Sequence, residues 1–204
     1  MKKWWLLSFM TLMITGWGWA QTQTEMQNAF RKSYVLEAAG NYSGAVDALK
    51  KVSSEDAYEV NLRLGWLYYN AGSFTDALGH YERCIQLRPL SLEARLGYVL
   101  PAGELGHWDQ VLDKYQEILE IDAYNTKANY YAGLIYYNRA DYGTAEKYFQ
   151  KIVNLYPFDY DSLLMLGWTK YFLGKSSEAK ALFQKVLLYS PEDTSAKEGL
   201  GLMK

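Results

Sequence analysis

The sequence predicts an all-α solenoid of about five antiparallel helix pairs with a short C-terminal capping helix. The first observation is that side-chain types return every 34 residues along most of the chain. The second is a turn residue, glycine in most units, at the same place in each period. Units of this kind bury their apolar faces against their neighbours and so build one core. Three columns carry the period: Ala77, Val111, Ala145 and Ala179; Tyr81, Tyr115, Phe149 and Phe183; and Cys84, Ile118, Ile152 and Val186.

Residues 1–20 lie outside the repeat and have the layout of a secretory signal peptide. Lys2 and Lys3 precede a short apolar run, and Gly18 and Ala20 occupy the positions that a signal peptidase reads. The apolar run is short for a membrane span, which needs about 20 residues. We therefore expect cleavage after Ala20 and an exported bacterial protein, periplasmic or secreted. An uncleaved anchor is the alternative, and it would bring the chain into contact with the membrane.

The repeat array is expected to occupy residues 21–204. In the second repeat, Leu64 and Tyr68 lie on one face of a first helix, and Gly72 suits the left-handed residue that ends it. A second apolar stripe begins at Phe74, and Pro89 stops the second helix. The other repeats share this layout, and the first is the most divergent. The predicted boundaries are 26–57, 58–91, 92–125, 126–159 and 160–193, with a capping helix at 194–204.

This pattern resembles the tetratricopeptide repeat family, in which Leu-Gly, Tyr, Ala, an aromatic residue and Pro recur over 34 residues. The second unit has Leu64-Gly65, Tyr68, Ala77, Tyr81 and Pro89 at these positions. The resemblance covers about residues 26–193. It implies that the first helix of each pair lines a concave wall, and that the array binds a partner rather than catalysing a reaction.

The resemblance also implies which side chains face the partner. Trp and Tyr offer a large contact area with a polar group, which suits a binding surface. Asn70 and Asn138 suit hydrogen bonds to the backbone of an extended segment. For Trp66 and Trp168, packing against adjacent units is an equally good interpretation. The expected groove consists of Tyr34, Leu62, Trp66, Tyr69, Asn70, Leu100, Gly103, Tyr130, Tyr137, Asn138, Trp168, Tyr171 and Phe172.

The third repeat departs from the pattern. Pro101 falls inside its first helix, where it removes a backbone donor and clashes with the preceding turn. Gly103 stands where the equivalent column has tyrosine. Together these changes predict a kink and a notch between Tyr69 and Tyr137 that accepts a bulky side chain of the bound segment. The alternative is a drifted repeat, in which Gly97 takes the place of the usual helix glycine after a two-residue insertion.

Composition and motifs exclude several classes of function. The net charge of −2 and the lack of a basic face argue against nucleic-acid binding. The single cysteine, Cys84, excludes an internal disulfide, and its column is otherwise small, buried and apolar, which outweighs its helical spacing from His80. No metal-ligand spacing or phosphate-binding loop occurs, so we expect no cofactor, no metal and no enzyme activity.

The sequence therefore predicts a non-catalytic scaffold that holds a protein or peptide partner in an aromatic concave groove, in the bacterial cell envelope. The basic clamp with which some family members capture carboxylates is absent, because Leu62, Leu96, Tyr130 and Leu164 occupy those positions. Two alternatives stay open at this point. One is a carbohydrate-binding module, since aromatic rings also stack on sugars. The other is a structural subunit that forms a homo-oligomer through the groove or through Leu200, Leu202 and Met203.

Overall fold

The computed structural model describes residues 23–52 and 57–203, and these residues form α-helices without β-strands. The prediction of an all-α array of helix pairs with a C-terminal helix is confirmed. The predicted leader lies outside the described residues. Helix α1 is described over residues 23–38. The others are α2 (Tyr42–Lys50), α3 (Tyr58–Asn70), α4 (Phe74–Leu87), α5 (Leu92–Glu104), α6 (Trp108–Ile121), α7 (Thr126–Asn138), α8 (Tyr142–Leu155), α9 (Tyr160–Phe172), α10 (Ser176–Tyr189) and α11 (Thr194–Leu202).

The helices fall into two compact units, the first holding α1 to α5 and the second α6 to α11. In unit 1, α4 packs against both α3 and α5. In unit 2, α8 packs against α7 and α9, and α10 against α9 and α11. Each unit has its own apolar core. The core of unit 1 includes Ala29, Ala45, Val46, Leu49, Val60, Leu64 and Leu67, and that of unit 2 includes Ala145, Phe149, Val153, Leu163, Leu166, Ala179, Phe183, Val186 and Ala196.

The helix pairs turn on residues in the left-handed conformation. Gly72 has φ +77°, as its position in the sequence predicts, and three other turn glycines have similar values. Ala140 occupies the same place in the fourth pair with φ +58°, although its Cβ disfavours this conformation. Most helix starts are capped by a side chain. One example is Asp159, which accepts a hydrogen bond from the backbone N–H of Ser162 at 3.0 Å.

Glycines on the first helices make room for aromatic rings of the second helices. A Cβ added to Gly65 would lie 3.0 Å from Tyr81, and one added to Gly167 would lie 2.8 Å from Phe183. The ring of Tyr81 also lies against α5, where a Cβ on Gly97 would approach it to 2.2 Å. Each of these glycines therefore lets an aromatic ring of a neighbouring helix pack directly against the helix backbone.

The third repeat keeps the 34-residue register, so the alternative alignment with a two-residue insertion is wrong. Helix α5 begins at Leu92 and ends at Glu104, and it continues through Pro101. Val99 occupies the place equivalent to Gly65 and is buried. Gly97 instead contacts the ring of the preceding pair, so it has a different packing role from the glycine of the family pattern.

Candidate partner-binding site

A cleft of about 560 Å³ opens on unit 1, and we call it the unit 1 cleft. Helices α1, α3 and α5 supply most of its wall, and α4 contributes one ring. Four of the predicted groove residues line it, namely Tyr34, Leu62, Trp66 and Leu100. The remaining lining residues are Phe30, Tyr58, Glu59, Arg63, Tyr81, Glu93, Leu96 and Gly97.

Two exposed rings of the cleft are held in place by Glu37. Its carboxylate accepts a hydrogen bond from the indole Nε1 of Trp66 at 2.6 Å and forms an ion pair with Arg63. The guanidinium of Arg63 lies 4.0 Å from the centre of the Tyr34 ring, in a cation–π contact. Arg63 is only 9% exposed, whereas Trp66 is 40% and Tyr34 54% exposed. The network therefore fixes two large rings that remain partly exposed to a partner.

The charge of Arg63 is neutralised inside this network. Burial raises the pKa of Glu37, but the hydrogen bonds from Arg63 and Trp66 and the positive charge of Arg63 outweigh burial and leave that pKa below its ordinary value. Arg63 also donates to the hydroxyl of Ser33 at 3.3 Å. Because its donors serve the protein itself, this arginine orients the cleft rather than binding an anion.

Two carboxylates also line the unit 1 cleft. Glu59 and Glu93 stand in the first turns of α3 and α5, and both are exposed. The hydroxyl of Tyr58 lies 2.8 Å from the hydroxyl of Ser91 and donates to Glu93 at 3.4 Å. Among the described residues, neither carboxylate takes part in an ion pair. The unit 1 cleft thus combines three leucines, two fixed rings and two exposed carboxylates that form no ion pair among the described residues.

Unit 2 carries a cluster of aromatic rings that includes four predicted groove residues. Phe172 stacks on Tyr142 with ring centres 4.7 Å apart, and Tyr137 meets the edge of Phe172 at 6.0 Å. Trp168 contacts Tyr171 at 5.7 Å and donates from Nε1 to the hydroxyl of Ser195 at 2.8 Å. We call this group the unit 2 cluster: Tyr137, Tyr142, Trp168, Tyr171 and Phe172. Phe172 is its most exposed ring.

The other predicted groove residues lie elsewhere in their units. Tyr69 packs between Trp66 and Phe74, with ring centres 6.1 and 6.0 Å away. The side-chain amide of Asn70 donates to the carbonyl of Trp66 at 2.8 Å, so this donor serves its own helix. Tyr130 lines a separate cleft of about 340 Å³, and Gly103 and Asn138 lie on α5 and α7 respectively.

The prediction of one trough through Trp66, Tyr137 and Trp168 combines residues of both units. The notch between Tyr69 and Tyr137 does so as well. Since Trp66 and Tyr69 belong to unit 1 and the other two residues to unit 2, both ideas stay predictions.

Sequence reasoning missed several residues that shape these surfaces. Arg63 occupies a column that also holds Arg31, Gly97, Tyr131 and Met165, and the charge found there in the first two repeats is the signal that could have found the network. Tyr142 was missed because it begins a second helix, whereas the groove was expected to use first helices alone. Its stacking on Phe172 depends on the turn that precedes α8, which the repeat pattern does not describe.

The described residues carry no arrangement suited to nucleophilic or metal chemistry. The thiol of Cys84 is buried, which raises its pKa to about 12, and it contacts the carbonyl of Tyr58 at 3.5 Å. His80 bonds the side-chain oxygen of Asn61 through Nδ1 at 2.9 Å and stacks on Tyr68. Residues 23–52 and 57–203 contain no cluster of His, Cys, Asp or Glu that could hold a metal ion. Within the same residues, no helix is both long and apolar enough to span a membrane.

A buried lysine in unit 2 is explained by structure rather than by catalysis. Lys170 takes the column of Tyr68 and Tyr136, and its ammonium pairs with Glu146 at 2.8 Å and with Glu178. Burial lowers the pKa of Lys170, but hydrogen bonds to the two carboxylates outweigh burial and raise it. The amine stays protonated and joins α8, α9 and α10.

Comparisons with known proteins identify the repeat. Two family models, both described as tetratricopeptide repeat, match residues 30–91 and residues 127–159 and 161–193, which together make up more than half of the chain. No curated protein sequence gives a significant match.

Solved structures show the same fold. The chain is similar to MamA, with a TM-score of 0.70 and 22% identity, over 80% of this chain and 90% of that one. It is also similar to a tetratricopeptide repeat protein from Parabacteroides merdae ATCC 43184, with a TM-score of 0.76 and 21% identity, over 88% of this chain and 72% of that one. For MamA from Desulfovibrio magneticus RS-1 the TM-score is 0.69 and the identity 19%, over 83% of this chain and 98% of that one.

Proposed function

Because the chain belongs to the tetratricopeptide repeat family, we propose that it is a non-catalytic scaffold that holds a protein or peptide partner in the unit 1 cleft. The fold supports protein interaction in general, and our proposal adds that the partner binds in the unit 1 cleft. The observation that carries it is the exposed indole of Trp66, fixed by its hydrogen bond to Glu37 and by the cation–π pair beside it.

Fixed rings bind better than mobile ones. Immobilising a free side chain at an interface costs about 0.5–1.5 kcal/mol, and Trp66 and Tyr34 have met part of this cost before the partner arrives. A tryptophan anchor at the centre of an interface typically contributes about 2 kcal/mol or more. Two leucines of the cleft, Leu62 and Leu100, supply apolar area beside these rings.

The unit 2 cluster is a second surface for the same function. Phe172 is 47% exposed and rests on Tyr142, so an apolar side chain of the partner would find a flat, supported ring there. Trp168 is half-buried and is held by Ser195, which suits support of the cluster better than direct contact. The described contacts favour neither the carbohydrate-binding module nor the self-associating subunit.

The place of action that we propose is the bacterial cell envelope, after export of the chain. The support is the leader-like composition of residues 1–20. Mass spectrometry of the protein purified from its host tests this part separately, with Gln21 expected as the first residue. An N-terminus at Met1 would contradict export by cleavage.

Photocrosslinking in the native host tests the binding function. A photoreactive amino acid replaces Tyr34, which is exposed and borders Trp66. We expect a discrete protein adduct that Trp66→Ala abolishes. The control is Trp108→Ala, because Trp108 is 55% exposed but lies outside the cleft. An adduct that survives Trp66→Ala, or labelling of lipid alone, would contradict the proposal.

A further inference from the structure

We propose that the unit 1 cleft selects a cationic, apolar segment: an extended peptide with a bulky apolar side chain about three residues from a lysine or arginine. This inference rests on the proposed function and names the chemistry of the partner. The order of groups along the helices carries it, because Glu59 and Glu93 stand in the first turns of α3 and α5 and the leucines and Trp66 follow along the same helices.

The carboxylates are free to meet a cation. Glu59 and Glu93 are exposed, both line the cleft, and no ion pair among the described residues includes either. The hydroxyl of Tyr58 donates to Glu93 at 3.4 Å, which restrains that carboxylate toward α3. Acidic residues in a first turn also stabilise their own helix, so the attraction of a bound cation to the carboxylates must exceed its repulsion by the positive helix ends.

No cation of the cleft wall is free to bind an acidic partner. Arg63 is the basic residue among those that line the cleft, and it is buried, paired with Glu37 and placed over Tyr34. An acidic segment inside the cleft would therefore meet Glu59 and Glu93, and the exposed cation Arg88 lines the adjoining pocket rather than the cleft itself. Such a juxtaposition of like charges rejects unsuitable partners.

The spacing of the motif follows from the helix geometry. Glu59 and Trp66 stand seven residues apart on α3, which corresponds to about 10 Å along a helix axis. An extended peptide covers that distance in about three residues. An apolar side chain of the peptide that contacts Trp66 would thus place the third residue along the peptide beside Glu59.

Designed peptides test this inference with the full-length protein. The first probe, the arginine probe, is fluorescein-labelled Gly-Trp-Leu-Gly-Ser-Arg-Gly-Arg-Gly. In the glutamine probe Gln replaces both arginines, and in the glutamate probe Glu replaces them. Fluorescence anisotropy measures Kd at low and moderate salt. We expect the arginine probe to bind about tenfold more tightly than the glutamate probe, with a difference that shrinks as salt rises.

Variants separate charge selection from binding itself. The double variant Glu59→Gln, Glu93→Gln should remove most of the preference for arginine, measured as the ratio of the Kd values of the glutamate and arginine probes. The matched control is Glu82→Gln with Glu120→Gln, since both are exposed carboxylates outside the cleft. Circular dichroism confirms that each variant is folded.

The outcomes distinguish the two proposals. If the three probes bind equally and Trp66→Ala weakens all of them, the cleft binds peptides but the charge inference is overturned. If no probe binds, or if Trp66→Ala has no effect on any of them, the proposed function fails as well. If the control double variant also removes the preference for arginine, general surface charge rather than the cleft is responsible, and the inference is overturned.

Discussion

Gly97→Ala tests how closely α5 packs on the ring of Tyr81. The added Cβ would lie 2.2 Å from the ring, which is far inside van der Waals contact. Tyr81 is 3% exposed and belongs to the layer of α3, α4 and α5, so its ring has little room to shift. Overpacking of this kind costs about 1–3 kcal/mol, while replacing a helical glycine by alanine gains about 1 kcal/mol. We therefore expect the free energy of unfolding of Gly97→Ala to fall by up to about 2 kcal/mol.

Urea denaturation followed by circular dichroism measures this change, with the slope of the transition as a check that cooperativity is retained. Gly79→Ala is the matched control, because Gly79 lies inside α4 and a Cβ there would meet nothing within 4 Å. That variant should gain about 1 kcal/mol. The reasoning is refuted if Gly97→Ala is as stable as Gly79→Ala, since the contact of the added Cβ with the Tyr81 ring would then cost no stability.

Three further predictions concern backbone strain, an ion pair and a thiol. Ala140→Gly should raise the free energy of unfolding by about 0.5–1 kcal/mol, because it relieves the strain of an alanine in the left-handed conformation, and Gly174→Ala should lower that free energy. The midpoints of urea denaturation measure both changes. A lower stability of Ala140→Gly would contradict the account. The pKa of Glu37 is lowered on folding, so its stabilisation is present above its unfolded pKa and is lost as pH falls through the folded value. The difference in free energy of unfolding between the wild-type protein and Glu37→Gln, measured by urea denaturation, should therefore shrink below about pH 4. Cys84, with its pKa raised to about 12, should react with a thiol reagent at pH 8 only on unfolding, and rapid native labelling would contradict its burial.

The 34-residue pattern predicted the helices because their boundaries depend on local chemistry. Gly72 ends α3 in the left-handed conformation, and Asp159 caps α9 through the N–H of Ser162. Burial followed from the columns as well, since Phe149 and Phe183 fill equivalent places in the core of unit 2. These features need information from one or two neighbouring repeats, which the sequence contains.

The details of the candidate site depend on contacts that periodicity does not encode. Whether Trp66 is buried or exposed is decided by Glu37, which lies on another helix and fixes the indole by one hydrogen bond. Asn70 was expected to face a partner, yet its amide donates to its own helix. The alternative that treats Gly97 as a drifted helix glycine is wrong, because Gly97 accommodates the ring of Tyr81 from the preceding pair. Each of these depends on the distance between side chains of different helices.

The most direct test of the central claim is an NMR titration of the full-length protein with the arginine probe. The indole N–H signals of Trp66 and Trp168 report on the two units separately, and the latter is held by Ser195. The account predicts a saturable shift of the Trp66 signal, together with the methyl signals of Leu62 and Leu96, at probe concentrations that leave the Trp168 signal unmoved. Shifts at Trp168 without any at Trp66 would contradict the assignment of the partner site to the unit 1 cleft.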